Sequence, residues 1–470
     1  MRMGIRCFGY RDTQAVSIKD QTTAVVLKAQ RRKGTIGKQL SKNDDSSHKI
    51  RQPQQNHQQD NIENVCLGIS YPPEQLALGY FLNVFSQAGL FQYLPLHMSV
   101  LAKDDDMVQA MYAPALASMA TEHRSVDLMR TARLHYSQAL AQTNSDLSNP
   151  QVVGLDKTLL RVLLLSSFEA LVFEGRRSPQ EWALHVKGSS RLLVLRGTKQ
   201  FETEVGRQLF HHASVNVLTN CVMQELAVSD DFLRLQEYAI SGASGIDNNR
   251  IHIISFLTRF ASLRAHSKGM LATEVVREAL DLDALGAKML DKLCGRAPFQ
   301  VINVLTDDYK DVESGVKVCT YKGIMHKYQS QQSARIYNTL WLTRLMMKEW
   351  IFCAFDHSLQ GVKLDQPEEE DPLHEDWDQM PIRAALQASD IIDDMLASVP
   401  YSIELLEAPF SPAARSLVWP LVTAASSEVC PPAARLYIID RLKALAKKFS
   451  LTQAMHAARM LEERVPLEDW

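Results

Sequence analysis

The sequence predicts an all-α protein: a large multi-helix domain of packed helical hairpins, preceded by a disordered basic and polar linker. Three observations lead there. Apolar residues recur at three- and four-residue spacings, in runs separated by short breaks. Leu, Ala and Met outnumber alternating β-branched runs, so strand signals are thin and a parallel sheet has no support. Residues 13–64 turn first basic and then Gln/Asn-rich around Pro53, a composition that cannot bury enough apolar area to offset chain entropy.

The elements follow in order. A short cysteine-bearing segment occupies 1–12. In the linker, 20–33 can form a short helix capped by Thr22 or Thr23 and ended by Gly34 and Gly37. The helical domain spans 65–470. Pro72 and Pro73 precede a helix over 74–89, with Leu76, Tyr80, Leu82, Val84 and Phe85 mostly buried. Further helices are expected over 107–122, 125–142, 157–173, 182–195 and 206–226. Asp104, Asp105 and Asp106 suit a helix start, Ser125 can cap the next helix, and Ser178-Pro179-Gln180-Glu181 has the capping-box pattern. Gly175 and Gly197 stand where helices should stop. The second half repeats the pattern over 251–265, 273–293, 333–355, 381–397, 413–429, 431–449 and 451–464. Between them, 366–378 is expected to be an exposed acidic loop, because adjacent carboxylates repel and Pro367 and Pro372 deny helix continuity. No short-period repeat interrupts this plan.

Composition narrows the class. A chain of 470 residues with 46% apolar content is long enough for a large core. The strongest membrane candidate, 155–173, carries Asp156, Lys157, Arg161 and Glu169 and reads as a buried helix, so no membrane partner is expected. No apolar stretch of the secretory kind follows the basic N-terminus. Cys7, Cys66, Cys221, Cys294, Cys319, Cys353 and Cys430 are dispersed, as expected of reduced, mostly buried thiols and not of a disulfide framework. The net charge of -3 conceals an asymmetry: residues 1–60 hold 12 Lys or Arg against 5 Asp or Glu, the rest 39 against 49. Arg6, Arg11, Lys28, Arg31, Arg32 and Lys33 are therefore the candidates for contact with a DNA backbone or for nuclear import, beside the plainer reading of a solvated basic linker.

Catalytic and metal signatures are not found. Gly34 and Gly37 before Lys38 stand too close for a phosphate loop, and no strand precedes them. Gly242-Ala243-Ser244-Gly245 lacks the spacing of a nucleophile elbow. His211 and His212 are adjacent and point in different directions on a helix. Asp104 to Asp106 and Glu368 to Glu370 read as solvated charge. An enzyme has no positive support in the sequence.

The segment Arg6-Cys7-Phe8-Gly9-Tyr10-Arg11 resembles the exit of the fungal binuclear zinc cluster, in which six cysteines hold two zinc ions and present a DNA-reading helix. At the shortest spacing of that family the preceding cysteine falls directly before Met1, so Cys7 is expected to be a lone remnant and no metal site is expected in this chain. Zinc belongs to it only if the missing cysteines stand upstream. The resemblance continues through Lys19-Asp20-Gln21-Thr22 and Val26-Leu27-Lys28-Ala29 to the stretch DKTLLRVLLLSSFEAL at 156–171. It then takes in Trp182 to Gly188, Leu192 to Gly197, Phe201, Gly206, Arg207 and Phe210, and near the end Leu417 to Leu421, Cys430-Pro431 and Arg441-Leu442. These are packing motifs. Trp182 is expected to pack inward, His185 to be a satisfied histidine, Leu160, Leu163 and Leu164 to be core despite their LxxLL spacing, and Trp419-Pro420 to mark a kink or boundary.

The resemblance implies a nuclear transcriptional regulator controlling a metabolic or secondary-metabolite gene set. Its partners would be DNA where the cluster is present, the transcription machinery or a homologous regulator, and a small-molecule effector. The alternative is a helical interaction protein that binds no DNA and dimerises with or titrates intact relatives. No residue is nominated for an effector pocket.

Overall fold

Proline starts the first helix among the described residues, as Pro72 and Pro73 imply: α1 (Pro73–Tyr80) has proline in its first turn and runs on into a π-turn at Phe81–Phe85. The computed structural model describes residues 72–86, 90–101, 105–172, 178–242, 246–304, 315, 317–355, 365–374, 376–405 and 412–465. Next come α2 (Leu94–Leu101), α3 (Asp105–His123), α4 (Val126–Leu147), α5 (Asp156–Leu171), α6 (Ser178–Arg196), α7 (Glu204–Gln224), α8 (Asp230–Ser241), α9 (Ile246–His266) and α10 (Ala272–Arg296). After a hairpin of β1 (Gln300–Asn303) and β2 (Ile324–Lys327) follow α11 (Gln331–Phe355), α12 (Met380–Ile403), α13 (Pro412–Ser416), α14 (Val418–Ser426), α15 (Pro432–Phe449) and α16 (Thr452–Glu463).

The fold is all-α and is built from helical hairpins. Helices α3 and α4, α5 and α6, α10 and α11, α11 and α12, and α15 and α16 pack as neighbouring pairs. Ser125 Oγ accepts the Leu128 N–H at 3.2 Å and fixes the start of α4. Leu160, Leu163 and Leu164 are fully buried, so their spacing serves the core. Trp182 is half-buried against the same core. Cys221, Cys353 and Cys430 are buried thiols, while Cys294 is exposed.

Several expectations are corrected. The helix expected over 413–429 is broken at Leu417 into α13 and α14, so the boundary comes just ahead of Trp419-Pro420. Helices α2 and α8 occupy stretches to which the sequence reading assigns no element. The β-hairpin is real, with Gln300 opposite Lys327 and Asn303 opposite Ile324 in an antiparallel ladder. The acidic loop is coil and turn through its described residues up to Asp376, and a 3-10 turn at Trp377–Gln379 then buries Trp377. The short helix expected over 20–33 and the disordered linker over 13–64 lie outside the described residues.

The hairpin carries a buried titratable group. His326 on β2 is 3% exposed; its ring centroid lies 4.3 Å from that of Phe299 and 5.7 Å from that of Trp341. Burial lowers its pKa to about 4. Asp394, whose oxygen is 3.9 Å from Nε2, is half exposed and does not offset that burial. A histidine with a depressed folded pKa contributes stability that is fully present above its unfolded value and lost as the pH falls towards the folded one. His326→Phe is therefore expected to reduce the stability lost between pH 7 and pH 5 by about 2 kcal/mol. Urea unfolding of both proteins at the two pH values measures this; equal losses would refute it.

Candidate functional site

Two glycines set the corner that places the site. Gly197, at φ +56°, ends α6, and a 3-10 turn at Gly197–Phe201 leads to α7. Gln200 Nε2 locks that turn by donating to the carbonyls of Leu193 at 2.9 Å and Gly197 at 2.7 Å. Thr203 Oγ1 accepts the Gly206 N–H at 3.0 Å and caps α7. A Cβ at Gly206 would stand 2.0 Å from the Gln200 carbonyl oxygen, so the turn can lie on α7 only where no side chain intervenes. Gly206 is one of the positions of the family resemblance, and this contact gives it a physical reason.

From that start, α7 presents Gln208, His211, His212 and Val215 to a cavity of about 350 Å³. Helix α9 contributes Arg250, Ile253 and Leu257, spaced as one helical face, and α11 contributes Gln332, Arg335, Ile336 and Thr339 in the same way. Helix α5 adds Ser167, Ala170 and Leu171, and α13 adds Arg415 and Ser416. Phe85, Phe91 and Tyr93 form an aromatic wall.

The cavity has two extensions. One, of about 180 Å³, shares Val215, Leu257, Arg335, Thr339 and Ser416 with it and continues between Leu218, Phe260, Leu342, Met346 and Trp419. The other, of about 480 Å³, shares Gln208, His211 and Arg250 and runs towards Phe201 and Tyr238. The central cavity and the larger extension have the size of small-molecule sites, roughly 300–1,000 Å³.

Its electrostatics are one-sided. No described residue lining the central cavity is acidic, whereas Arg250, Arg335 and Arg415 all line it. Arg250 Nη1 donates to Gln208 Oε1, and Arg415 Nη2 donates to the Leu171 carbonyl at 3.1 Å. Burial lowers the pKa of Arg335 and brings that of Arg415 down to about 10, which leaves Arg415 a cation at neutral pH. Burial, then the charges of Arg250 and Arg335, bring His211 to about 4. Burial, then His211 and Arg335, bring His212 to about 3. Both imidazoles are thus neutral at pH 7. His212 Nδ1 lies 3.3 Å from Tyr93 Oη, with the edge of the Phe91 ring against it at 4.5 Å between centroids.

His211 and His212 border the same cavity, one half-buried and the other 3% exposed. His185 pairs with Tyr136, Nε2 to Oη 3.3 Å, and burial lowers its pKa to about 4. Arg6, Cys7, Arg11, Lys28, Arg31, Arg32 and Lys33 lie outside the described residues. Among the described residues no group of three or more His, Cys, Asp or Glu could hold a metal ion, and no helix is long and apolar enough to cross a membrane. The chain matches no protein-family model, and no curated protein or solved structure is detectably similar to it.

Proposed function

We propose that this chain is the regulatory part of a transcriptional regulator of the fungal zinc-cluster kind, acting in the nucleus and responding to a small-molecule effector bound between its helices. The observation that carries this reading is the cavity bordered by α5, α7, α9, α11 and α13. Two of those helices, α5 and α7, contain residues of the resemblance: 156–171, and Gly206, Arg207 and Phe210. A ligand that contacts several helices at once binds one arrangement of them better than another, and that difference in affinity is what shifts a regulatory equilibrium. The gene set under control would be metabolic or devoted to secondary metabolites. DNA contact by the basic N-terminal residues and assembly with a homologous regulator or the transcription machinery belong to the same proposal.

The test is to fuse the full chain to an unrelated DNA-binding domain and measure transcription of a reporter carrying its site. A change of at least several-fold over the DNA-binding domain alone, in either direction, is the expected result. A fusion that is nuclear, intact and without effect would sink the regulatory reading.

A further inference from the structure

We infer that the smaller, apolar extension of the central cavity, between α7, α9, α11 and α14, is a binding site for one neutral aromatic molecule of one or two fused rings that carries a hydrogen-bond donor. This names the ligand class of the effector in the regulatory reading above and rests on that reading.

Size is the first argument. The extension holds about 180 Å³. Protein interiors are close-packed and keep few voids larger than a water molecule, and an unfilled void destabilises in proportion to its volume. A dry apolar cavity of about 150 Å³ takes one benzene, so this space suits a single ring or two small fused rings. A ligand reaches it from the central cavity, with which it shares Val215, Leu257 and Thr339.

The walls are the second argument. The surface of the extension is mostly apolar, with Leu218, Val222, Phe260, Leu342, Met346 and Trp419 among its walls. Phe260 packs in turn on Trp350, 5.7 Å away between ring centroids. An aromatic ligand can meet the rings of Phe260 and Trp419 face-on or edge-on, and the Met346 thioether adapts to a ring edge. A charge on that ligand would lose its hydration with little to replace it, which selects a neutral one. Arg335, at the junction, has a partner of its own and does not depend on the ligand for one.

The polar atoms are the third argument. Thr339 Oγ1 donates to the Arg335 carbonyl at 2.9 Å, and one turn later Thr343 Oγ1 donates to the Thr339 carbonyl at 2.8 Å. Each hydroxyl proton is thereby used, and the oxygen lone pairs are left to accept. Asn338 is engaged at both ends, since Nδ2 donates to the Ala334 carbonyl at 2.9 Å and Oδ1 accepts from Ser398 Oγ at 3.0 Å. Gln331, at the start of the same helix, also lines the extension, and its buried Oε1 has no hydrogen-bond partner among the described residues. A buried acceptor left unmatched is costly. The extension thus offers acceptors, and the ligand that matches them brings an N–H or O–H.

Isothermal titration of the full chain at pH 7 tests this with three ligands: indole, benzofuran, which has the same shape without the N–H, and indole-5-carboxylate. Indole is expected to bind one to one with a Kd below about 1 mM. Benzofuran should bind about 2- to 10-fold more weakly, as for the loss of one neutral hydrogen bond, and the carboxylate more weakly still. Thr219→Phe puts a ring into the extension from a half-buried position on α7. It should weaken indole and benzofuran alike, by about tenfold or more. Among Thr339→Val, Thr343→Val and Gln331→Met, the variant that removes the acceptor used by the ligand should bind indole and benzofuran equally. Far-UV circular dichroism and cooperative melting certify each variant; where one fails to fold, the ranking of the three ligands on the unaltered protein still decides. Absence of indole binding, equal binding of benzofuran or a carboxylate bound as tightly as indole overturns the proposal. So does undiminished binding in folded Thr219→Phe, or an unchanged preference in all three folded acceptor variants. Indole binding beside a silent reporter would remove the regulatory reading and leave the site. An active reporter without indole binding would do the reverse.

Discussion

Asp283→Asn is expected to lower the unfolding free energy by about 3–5 kcal/mol. Asp283 on α10 is 7% exposed and accepts from Arg344 Nε at 2.7 Å and from Lys348 Nζ at 2.7 Å, both on α11. Lys348 is 3% exposed. Removing the carboxylate charge leaves an ammonium and a guanidinium together in a space from which water is largely excluded. Two cations then repel where one anion had neutralised them, and the loss exceeds that of an ordinary hydrogen bond, about 0.5–1.5 kcal/mol. Lys348→Met is expected to cost less, because Asp283 keeps Arg344 and the thioether fills the space of the stem. Urea denaturation at pH 7 measures both: the midpoint should fall much further for Asp283→Asn with little change in slope. Equal losses in the two variants would refute the assignment of Asp283 as the centre of the cluster. The cluster also bears on the cavity, since α11, which it ties to α10, carries Arg335 and Thr339.

How much of this was legible depends on how local the signal is. Helix starts were the clearest, because a cap is written within four residues: Ser125 before α4 and the prolines before α1 are where the sequence puts them. Helix α8 carries the same signature. Ser229 caps it, Asp230 and Asp231 fill its first turn, and Phe232, Leu235, Gln236 and Ala239 bury one face. That signature lies wholly within the local sequence. The β-hairpin has strands of four residues, too short for a period-two pattern, and β1 is mostly exposed, so no apolar alternation marks it. Leu417, the residue at which the helix expected over 413–429 breaks, is buried and apolar and resembles the helical residues around it.

The cavity was not legible at all. His211 and His212 are adjacent, which is no metal-ligand spacing, and nothing local in the sequence assigns them another role. Arg250, Arg335 and Arg415 are widely separated in the chain, and each reads in its own helix as part of a solvated face. Only the crossing of α9, α11 and α13 brings them to one space. The same reason hid Asp283 and Lys348: a charged residue in an amphipathic helix is normally placed outside, and nothing local says that two outsides meet.

The ion pair of Arg161 and Asp146 tests that last point most severely, because Arg161 lies in the apolar stretch of α5 that the sequence already marks as core. Arg161 is 1% exposed and Asp146 6%, and Nη1 donates to Oδ2. Asp146, in the last turn of α4, also accepts from Gln142 Nε2 at 2.9 Å. Arg161→Met is expected to cost about 3–5 kcal/mol, since it leaves a carboxylate buried with a single neutral donor. The double variant Arg161→Met, Asp146→Leu should recover much of that loss, because a pair of apolar side chains of similar volume needs neither desolvation nor a partner. A double-mutant cycle in urea reads the difference. If the two losses simply add, the pair is not coupled and the burial of Arg161 has another cause. If they do not, the cost of the single change is that of an orphaned charge. The pair then acts as a specificity device, pinning the last turn of α4 to α5, whose far end supplies Ser167, Ala170 and Leu171 to the cavity.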